Sequence, residues 1–434
     1  MKSIWCDSVK DRNYEHLSGD IKTDVLIIGG GIVGVTCAYM LEKSGADCVL
    51  VEADRILSGV TQNTTAKITL QHGLIYNKII NKYGVDRAKM YFKAQQDALK
   101  FYSEMCPNID CDYSIQDAYV YSADNLYGLE AELKAYEQIG LRGDFCRNIV
   151  LPIEIKGALR VKEQAQFNPL KFFYSLIDGF TIYEDTKAIE LFDGGAVTNK
   201  GKIFAEKIII ATHFPFINKY GGYFLKMYQH RSYVISLKNA EISHGMYVDA
   251  DIKGLSFRGY NGMLLLGGGS HRTGKNGGGW KELEDFAGKK YKGSKEVCRW
   301  ATQDCITLDG IPYIGRYSKR LNDVFVATGF NKWGMTSSVA AAKILCDMIN
   351  GKINDYAEVF SPSRSVLHKQ LLINIAESAV NLLTPTVPRC SHLGCALKYN
   401  AEEHSWDCPC HGSRFTESGK LIENPAIDDK KINF

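Results

Sequence analysis

The 434-residue sequence carries little net charge. Its 52 lysines and arginines stand against 49 acids and leave a formal charge of +3. So small an excess gives no electrostatic footprint for nucleic acid or for an anionic membrane surface. Long apolar runs are also missing. The longest stretch without a charge, Val25 to Leu41, falls short of a membrane span and is broken by Gly29, Gly30, Gly31 and Gly34. A buried strand, turn and helix account for it better. The opening residues, MKSIWCDSVKDRNYEH, lack an apolar core and a small-residue cleavage site. That start suggests no secretory leader and a cytoplasmic location.

Cysteine is plentiful, but its distribution does not suit a disulfide framework. Nine of the 13 cysteines are scattered and read as reduced thiols. The other four, Cys390, Cys395, Cys408 and Cys410, crowd into one stretch near the end together with His392, His404 and His411. Clustering of this kind points to a metal.

Near the start, TDVLIIGGGIVGVTCAYMLEKSGADCVLVEADR reads as strand, tight turn, helix and strand. Val25 to Ile28 form the first strand, and Gly29 to Gly34 match G-x-G-x-x-G. A helix from about Ile32 to Ser44 stops at Gly45, and a second strand, Cys48 to Val51, ends in Glu52. Gly29, Gly31 and Gly34 let the backbone turn sharply and approach a pyrophosphate at the helix N-terminus. Glu52 stands where an acid accepts ribose hydroxyls and disfavours a 2′-phosphate. The expected fold is therefore α/β, with a dinucleotide-binding domain. The stretches MYQHRSYVISL and LSFRGYNGMLLLGGG alternate as sheet strands do. Gly269 to Asn276, GSHRTGKN, nearly matches a phosphate-binding loop, but Asn276 replaces the magnesium-holding hydroxyl and no helix follows. It reads instead as a glycine-rich loop whose His271 and Arg272 are candidates to face an active site. Leu367, Leu371, Ile375, Ala379 and Leu382 recur at helical spacing and predict a packed helix, not a membrane anchor.

Over roughly residues 20–360 the chain resembles the D-amino acid oxidase/sarcosine oxidase type of FAD-dependent oxidoreductase. Three segments carry the likeness: the glycine-rich turn with SGVTQNTTAKITLQHG after it, the D-G-x-P-x-I-G pattern from Asp309 to Gly315, and GFNKWGMTSSVAAAKIL. The resemblance implies FAD rather than NAD, with Thr64, Thr65 and Lys67 near pyrophosphate and flavin. It also implies a helix after Gly329 to Gly334, beginning near Met335 and Thr336, aimed at the flavin's pyrimidine ring. It implies a discontinuous FAD-binding domain (1–75, 158–218 and 306–360) and a β-sheet-rich substrate domain (76–157 and 219–305) for a small amine or amino-acid-like substrate. Lys67 would stabilise reduced flavin. Arg258 is a carboxylate clamp, a flavin-side cation or simply a surface arginine. Two departures stand out: Thr336 occupies the place of the family's substrate-binding lysine, and Thr302 that of its flavin-linking cysteine.

The tail, with C-x-H at Cys390 and CPCHG at Cys408, resembles a Rieske [2Fe–2S] protein; a C-x-H…C-x-x-H zinc site is the alternative. The resemblance implies Cys390 and Cys408 on one iron, His392 and His411 on the other, and a Cys395–Cys410 disulfide. A helix and linker (361–388) would lead into a truncated module (389–434). So short a piece, lacking the usual strands before its first cluster loop, needs metal, disulfide or the flavoprotein body to fold. Together the parts imply a dehydrogenase, rather than an oxidase, that passes electrons through the cluster to a one-electron acceptor protein or a quinone. Current running the other way is a rival. A redox sensor or electron-transfer protein without an organic substrate is another.

Overall fold

The structure, a computed structural model, describes residues 2–10, 12–241, 244–385 and 388–430. Residues 386 and 387 of the expected linker lie outside the described residues. The first sheet has eight strands. Its path runs Tyr313–Ser318, Leu321–Thr328, Lys202–Ile210, Ile21–Ile28, Cys48–Val51 and Thr181–Tyr183, and a hairpin of Ala188–Phe192 and Gly195–Thr198 extends from it. The strands from Leu321–Thr328 to Thr181–Tyr183 run parallel, and Val25 and Ile28 pair with Cys48 and Val51. Val25–Ile28 and Cys48–Val51 are apolar at every position because both faces are covered. Helices Ile32–Lys43 and Gly334–Ile349 pack together on this sheet and direct their N-termini to its cofactor edge.

The second sheet has nine strands. It takes in Ser114–Ser122, Gly157–Gln166, Met227–Lys238, Met263–Arg272 and Lys295–Thr307. Strand Gly157–Gln166 pairs with Ser114–Ser122 and with Lys67–Ile68, so segments from both groups of expected boundaries share this sheet. Its burial does not alternate regularly, and pairing with distant strands decides where it goes.

Alternation along two neighbouring strands organises the rest. Met227–Lys238 pairs antiparallel with Lys295–Thr307, setting His230 opposite Asp304 and Ser232 opposite Thr302. Because side chains alternate between faces, Tyr228, Ser232, Thr302 and Asp304 line a large cavity. Gln229, Arg231 and Gln303 point the other way, into the tail.

The tail forms an antiparallel sheet of four three-residue strands: Lys398–Asn400, Ser405–Asp407, Arg414–Thr416 and Leu421–Glu423. Its apolar centre is small: Cys390, Cys395, Leu397, Cys408, Cys410, Phe415 and Ala426. Four of those seven are the clustered cysteines, so little apolar burial remains without them. The flavoprotein body supplies what is missing. Arg231, with its side chain 2% exposed, donates from Nε to Glu403 at 2.9 Å and from Nη1 to Glu423 at 3.1 Å. Arg414 joins the same acids and Asp407. Gln229 Nε2 donates to the carbonyl of His411 at 2.8 Å, and Gln303 Nε2 to that of Gly412 at 2.8 Å. Arg272 reaches the carbonyls of Pro409 and Cys410, and a β-carbon on Gly274 would stand 2.6 Å from Pro409 N. The glycine-rich stretch that mimics a phosphate loop is therefore the seat of the tail. Arg272 does not face the large cavity, and His271 meets Tyr233 Oη at 3.0 Å.

The helix Lys369–Leu383 is packed, but by its polar side. Asn374 and Asn381 are buried, while Leu372, Ile373, Val380 and Leu383 are exposed. Arg272 Nη1 donates to Asn374 Oδ1 at 3.1 Å, Ala396 N to the Asn381 carbonyl at 2.9 Å, and Lys275 pairs with Glu377 at 2.6 Å. Periodicity shows that a helix has a stripe but not which side meets the protein. Among the described residues, no helix is long and apolar enough to cross a membrane.

Removing the Arg231 cation leaves Glu403 and Glu423 to share Arg414 alone, and breaking a buried pair costs up to about 3–5 kcal/mol. Arg231→Ala is expected to free the tail from the body. Limited proteolysis should then cut within residues 389–430 much faster than in the wild type, with the flavoprotein core left resistant.

Candidate functional site

The cavity has a volume of about 1630 Å³ and runs from the glycine-rich turn, between the two sheets, to the inner edge of the tail. That exceeds the usual range for a small-molecule pocket and leaves room for a dinucleotide and a substrate together. Gly29 has φ +111°, and a β-carbon there would lie 2.5 Å from the Ala211 carbonyl oxygen. At Gly34 it would lie 1.9 Å from the carbonyl oxygen of Gly29, so this glycine sets how closely helix and strand approach. Gly31 is the last residue before the helix and lines the cavity. Glu52 lines it too. Its Oε2 accepts from Gly30 N–H at 2.7 Å and its Oε1 from Asp54 N–H at 3.1 Å, while burial holds its pKa up. These residues form a cradle of backbone donors and one acid, which suits a dinucleotide's pyrophosphate and ribose.

Thr64, Thr65 and Lys67 stand together on the cavity wall. Lys67 Nζ donates to Thr65 Oγ1 at 3.1 Å. Burial, with the neighbouring Arg258 charge, pushes its pKa down to about 7. A lysine so close to losing its proton gains most from a nearby negative charge. Gly334 and Met335, at the start of the late helix, also line the cavity. Gly329 and Thr336 do not. Gly329 turns at φ +75° against Thr307, and the Thr336 hydroxyl meets His72 Nε2 at 3.1 Å. His72 stacks on Trp333 and is pushed down by burial to a pKa of about 3, so it stays neutral.

Arg258 is neither on the surface nor a clamp. It is 1% exposed, and its donors go to Gln166 Oε1 at 2.8 Å and to the carbonyls of Ala66 and Phe167, each at 2.8 Å. Its planar fork holds the turn that presents Thr65 and Lys67; four of its five N–H donors are taken up by the protein, and the side chain does not line the cavity. Several charged cavity groups escaped the reading of the sequence, among them Lys332, in the loop before the late helix, and Asp304, on the second sheet. A lysine among glycines and a lone acid in an alternating strand were the available signals.

In the tail, the loops carrying Cys390–Cys395 and Cys408–Gly412 face each other. His392 Nδ1 and His411 Nδ1 lie 3.3 Å apart. The Nε2 of His392 meets Asn218 Oδ1 at 2.7 Å, and an amide oxygen only accepts, so the hydrogen is on Nε2 and the Nδ1 lone pair faces His411. Burial pushes both imidazoles down, to about 4 for His392 and about 3 for His411. The Sγ atoms of Cys395, Cys408 and Cys410 lie within 4.8 Å of one another, and Cys390 is buried in the same cluster. Two neutral imidazoles with converging Nδ1 atoms beside two thiols are the donor set of a histidine-ligated [2Fe–2S] centre. All four cysteines are free thiols, so the expected Cys395–Cys410 disulfide is not formed here. Those two sulfurs instead cluster with that of Cys408, all within 4.8 Å of one another.

Lys67 makes stability depend on pH in a definite direction. The folded chain loses this proton near pH 7, whereas its ordinary value is 10.5. Between the two the unfolded chain binds the extra proton, so stability rises with pH. In denaturant titrations of the FAD-free protein, Lys67→Met should flatten that rise between pH 7 and pH 10.

A family described as FAD dependent oxidoreductase matches residues 24–348, and one described as Rieske [2Fe-2S] domain matches residues 363–432. The protein YhfW of Bacillus subtilis (strain 168), named for a Rieske 2Fe-2S iron-sulfur protein, is 35% identical over 99% of this chain and 97% of its own. Gamma-glutamylputrescine oxidoreductase of Escherichia coli (strain K12) is 26% identical over 46% of this chain and 50% of its own. The crystal structure of L-proline dehydrogenase from P. horikoshii shares the fold, with a TM-score of 0.67 at 18% identity over 80% of this chain and 98% of that one. The chain belongs to the FAD dependent oxidoreductase family and carries a Rieske [2Fe-2S] domain at its C-terminal end.

Proposed function

We propose that this enzyme oxidises a small amine or amino-acid-like substrate and passes the electrons through its own cluster to a one-electron acceptor, a protein or a quinone. One observation carries the reading. The two strands whose inner faces line the cavity, at Ser232 and Asp304, hold the cluster loop on their outer faces, through Gln229 to His411 and Gln303 to Gly412. Bound FAD takes two electrons from an organic substrate, and a [2Fe–2S] centre passes them on singly. The chain's own residues provide the setting. The glycine turn and Glu52 would hold the cofactor, and Lys67 would balance charge on it. Cys390, Cys408, His392 and His411 would hold the iron. This sharing of strands supports a dehydrogenase over an oxidase. The names of relatives and structural neighbours, a putrescine derivative and proline among them, support an amine substrate.

Purified without oxygen, the protein should contain one FAD and two irons per chain. Substrate reduction should give the low average g-value EPR signal of a histidine-ligated cluster. Cys408→Ser should lose that signal and keep its flavin. One zinc and no iron would refute the cluster. His411→Ala should still reduce its flavin but lose rapid transfer to a one-electron acceptor; unchanged transfer would refute the relay.

A further inference from the structure

At the roof of the cavity stands a set of polar groups that the protein itself does not satisfy. Lys332 lies in the loop that leads to the late helix. Both it and Asn331 adopt the left-handed backbone conformation, at φ +73° and +54°. That conformation is unfavourable for a lysine, though asparagine adopts it more readily. Asn331 is held there by its side chain, which accepts from Thr307 N–H at 2.8 Å. The loop thereby delivers Lys332 Nζ to Ser270 Oγ at 3.0 Å and to the Ile252 carbonyl at 3.1 Å. Two of its three donors are used. Among the described residues no carboxylate pairs with it directly, and burial holds its pKa down.

Asp304 faces the same space from the sheet. Its carboxylate accepts no hydrogen bond from any described residue, and burial pushes its pKa up to about 6. Lys332 and Asp304 sense each other's charge without forming an ion pair; Asp251 also acts on Lys332, and Arg231 and Glu423 act on Asp304. Beside them, the buried Thr302 Oγ1 has no partner. Buried polar groups are nearly always hydrogen-bonded, and strain of this kind gathers at ligand sites. A cation, an anion and a spare hydroxyl around one empty space call for a molecule that carries both charges. A plain amine would leave Lys332 uncompensated, and a simple acid would leave Asp304 so.

We propose that Lys332 and Asp304 are the two arms of the substrate clamp, Lys332 holding a carboxylate and Asp304 the amine, so that the substrate is a compact amino acid and not a simple amine or a polyamine. This rests on the reading of the cavity as an amine-oxidising site. It also assigns the carboxylate-binding work to a loop lysine in a chain that has threonine at position 336.

The test uses the holoenzyme without oxygen and matched pairs that differ only in the carboxylate: sarcosine with dimethylamine, and proline with pyrrolidine. Flavin bleaching should be at least ~10-fold more efficient with the carboxylate-bearing member, the size of one charged hydrogen bond. Glycine betaine, a zwitterion without an N–H, should bind and perturb the flavin spectrum. Lys332→Met should weaken betaine binding by ~10- to ~100-fold, and Lys332→Arg should restore part of it. Flavin content and melting temperature serve as controls for folding. Equal bleaching by both members of each pair, or betaine binding unchanged in Lys332→Met, would overturn the clamp and leave amine oxidation standing. Betaine binding that needs Lys332, with no bleaching by any compound, would keep the clamp and overturn oxidation.

Discussion

A single buried guanidinium sets the relation between the two halves of this protein. Arg231 leaves a strand of the second sheet and enters the tail, where Glu403 and Glu423 receive it beside Arg414. Desolvating these charges is costly, and the cost is recovered only when all of them are in register. The arrangement therefore favours one docked position over many approximate ones. Register then follows along the strand. Two residues before Arg231, Gln229 grips the cluster loop, while Tyr228 and Ser232, which flank this pair, line the cavity.

This geometry explains how a module with so little apolar centre can persist. Its own core consists largely of the cysteines that would hold iron, and its remaining support is polar and borrowed. Gln229, Gln303 and Arg272 each satisfy a carbonyl of the second cluster loop, and Asn218 fixes the ring of His392. The tail also closes the cavity. Glu423 and Asn424 line it, and Asn424 Nδ2 donates to the Phe214 carbonyl at 2.9 Å. The large cavity and the cluster loops are thus built around shared strands.

What could be read from the sequence was local. The turn around Gly29 and Gly34 is legible because its steric needs are met within one loop and helix, and the Cys390 and Cys408 motifs because ligand spacing is a local property. What could not be read depended on partners far along the chain. The sequence shows that Arg258 is a cation but not that Gln166, Ala66 and Phe167 take up its donors. The stripe on the helix Lys369–Leu383 is visible, yet its buried side is the asparagine side, chosen by Arg272 and Ala396. The GSHRTGKN stretch imitates one motif and serves another end, because only the fold brings Gly274 against Pro409.

Fixed docking, rather than a swinging tether, is the central claim, and solvent viscosity tests it most directly. Flavin-to-cluster electron transfer can be followed by stopped flow after anaerobic substrate reduction, in buffers of increasing glycerol content. Transfer between docked centres should proceed at a rate independent of viscosity. A rate that falls in proportion as viscosity rises would mean that the tail must move before electrons pass, and would contradict it.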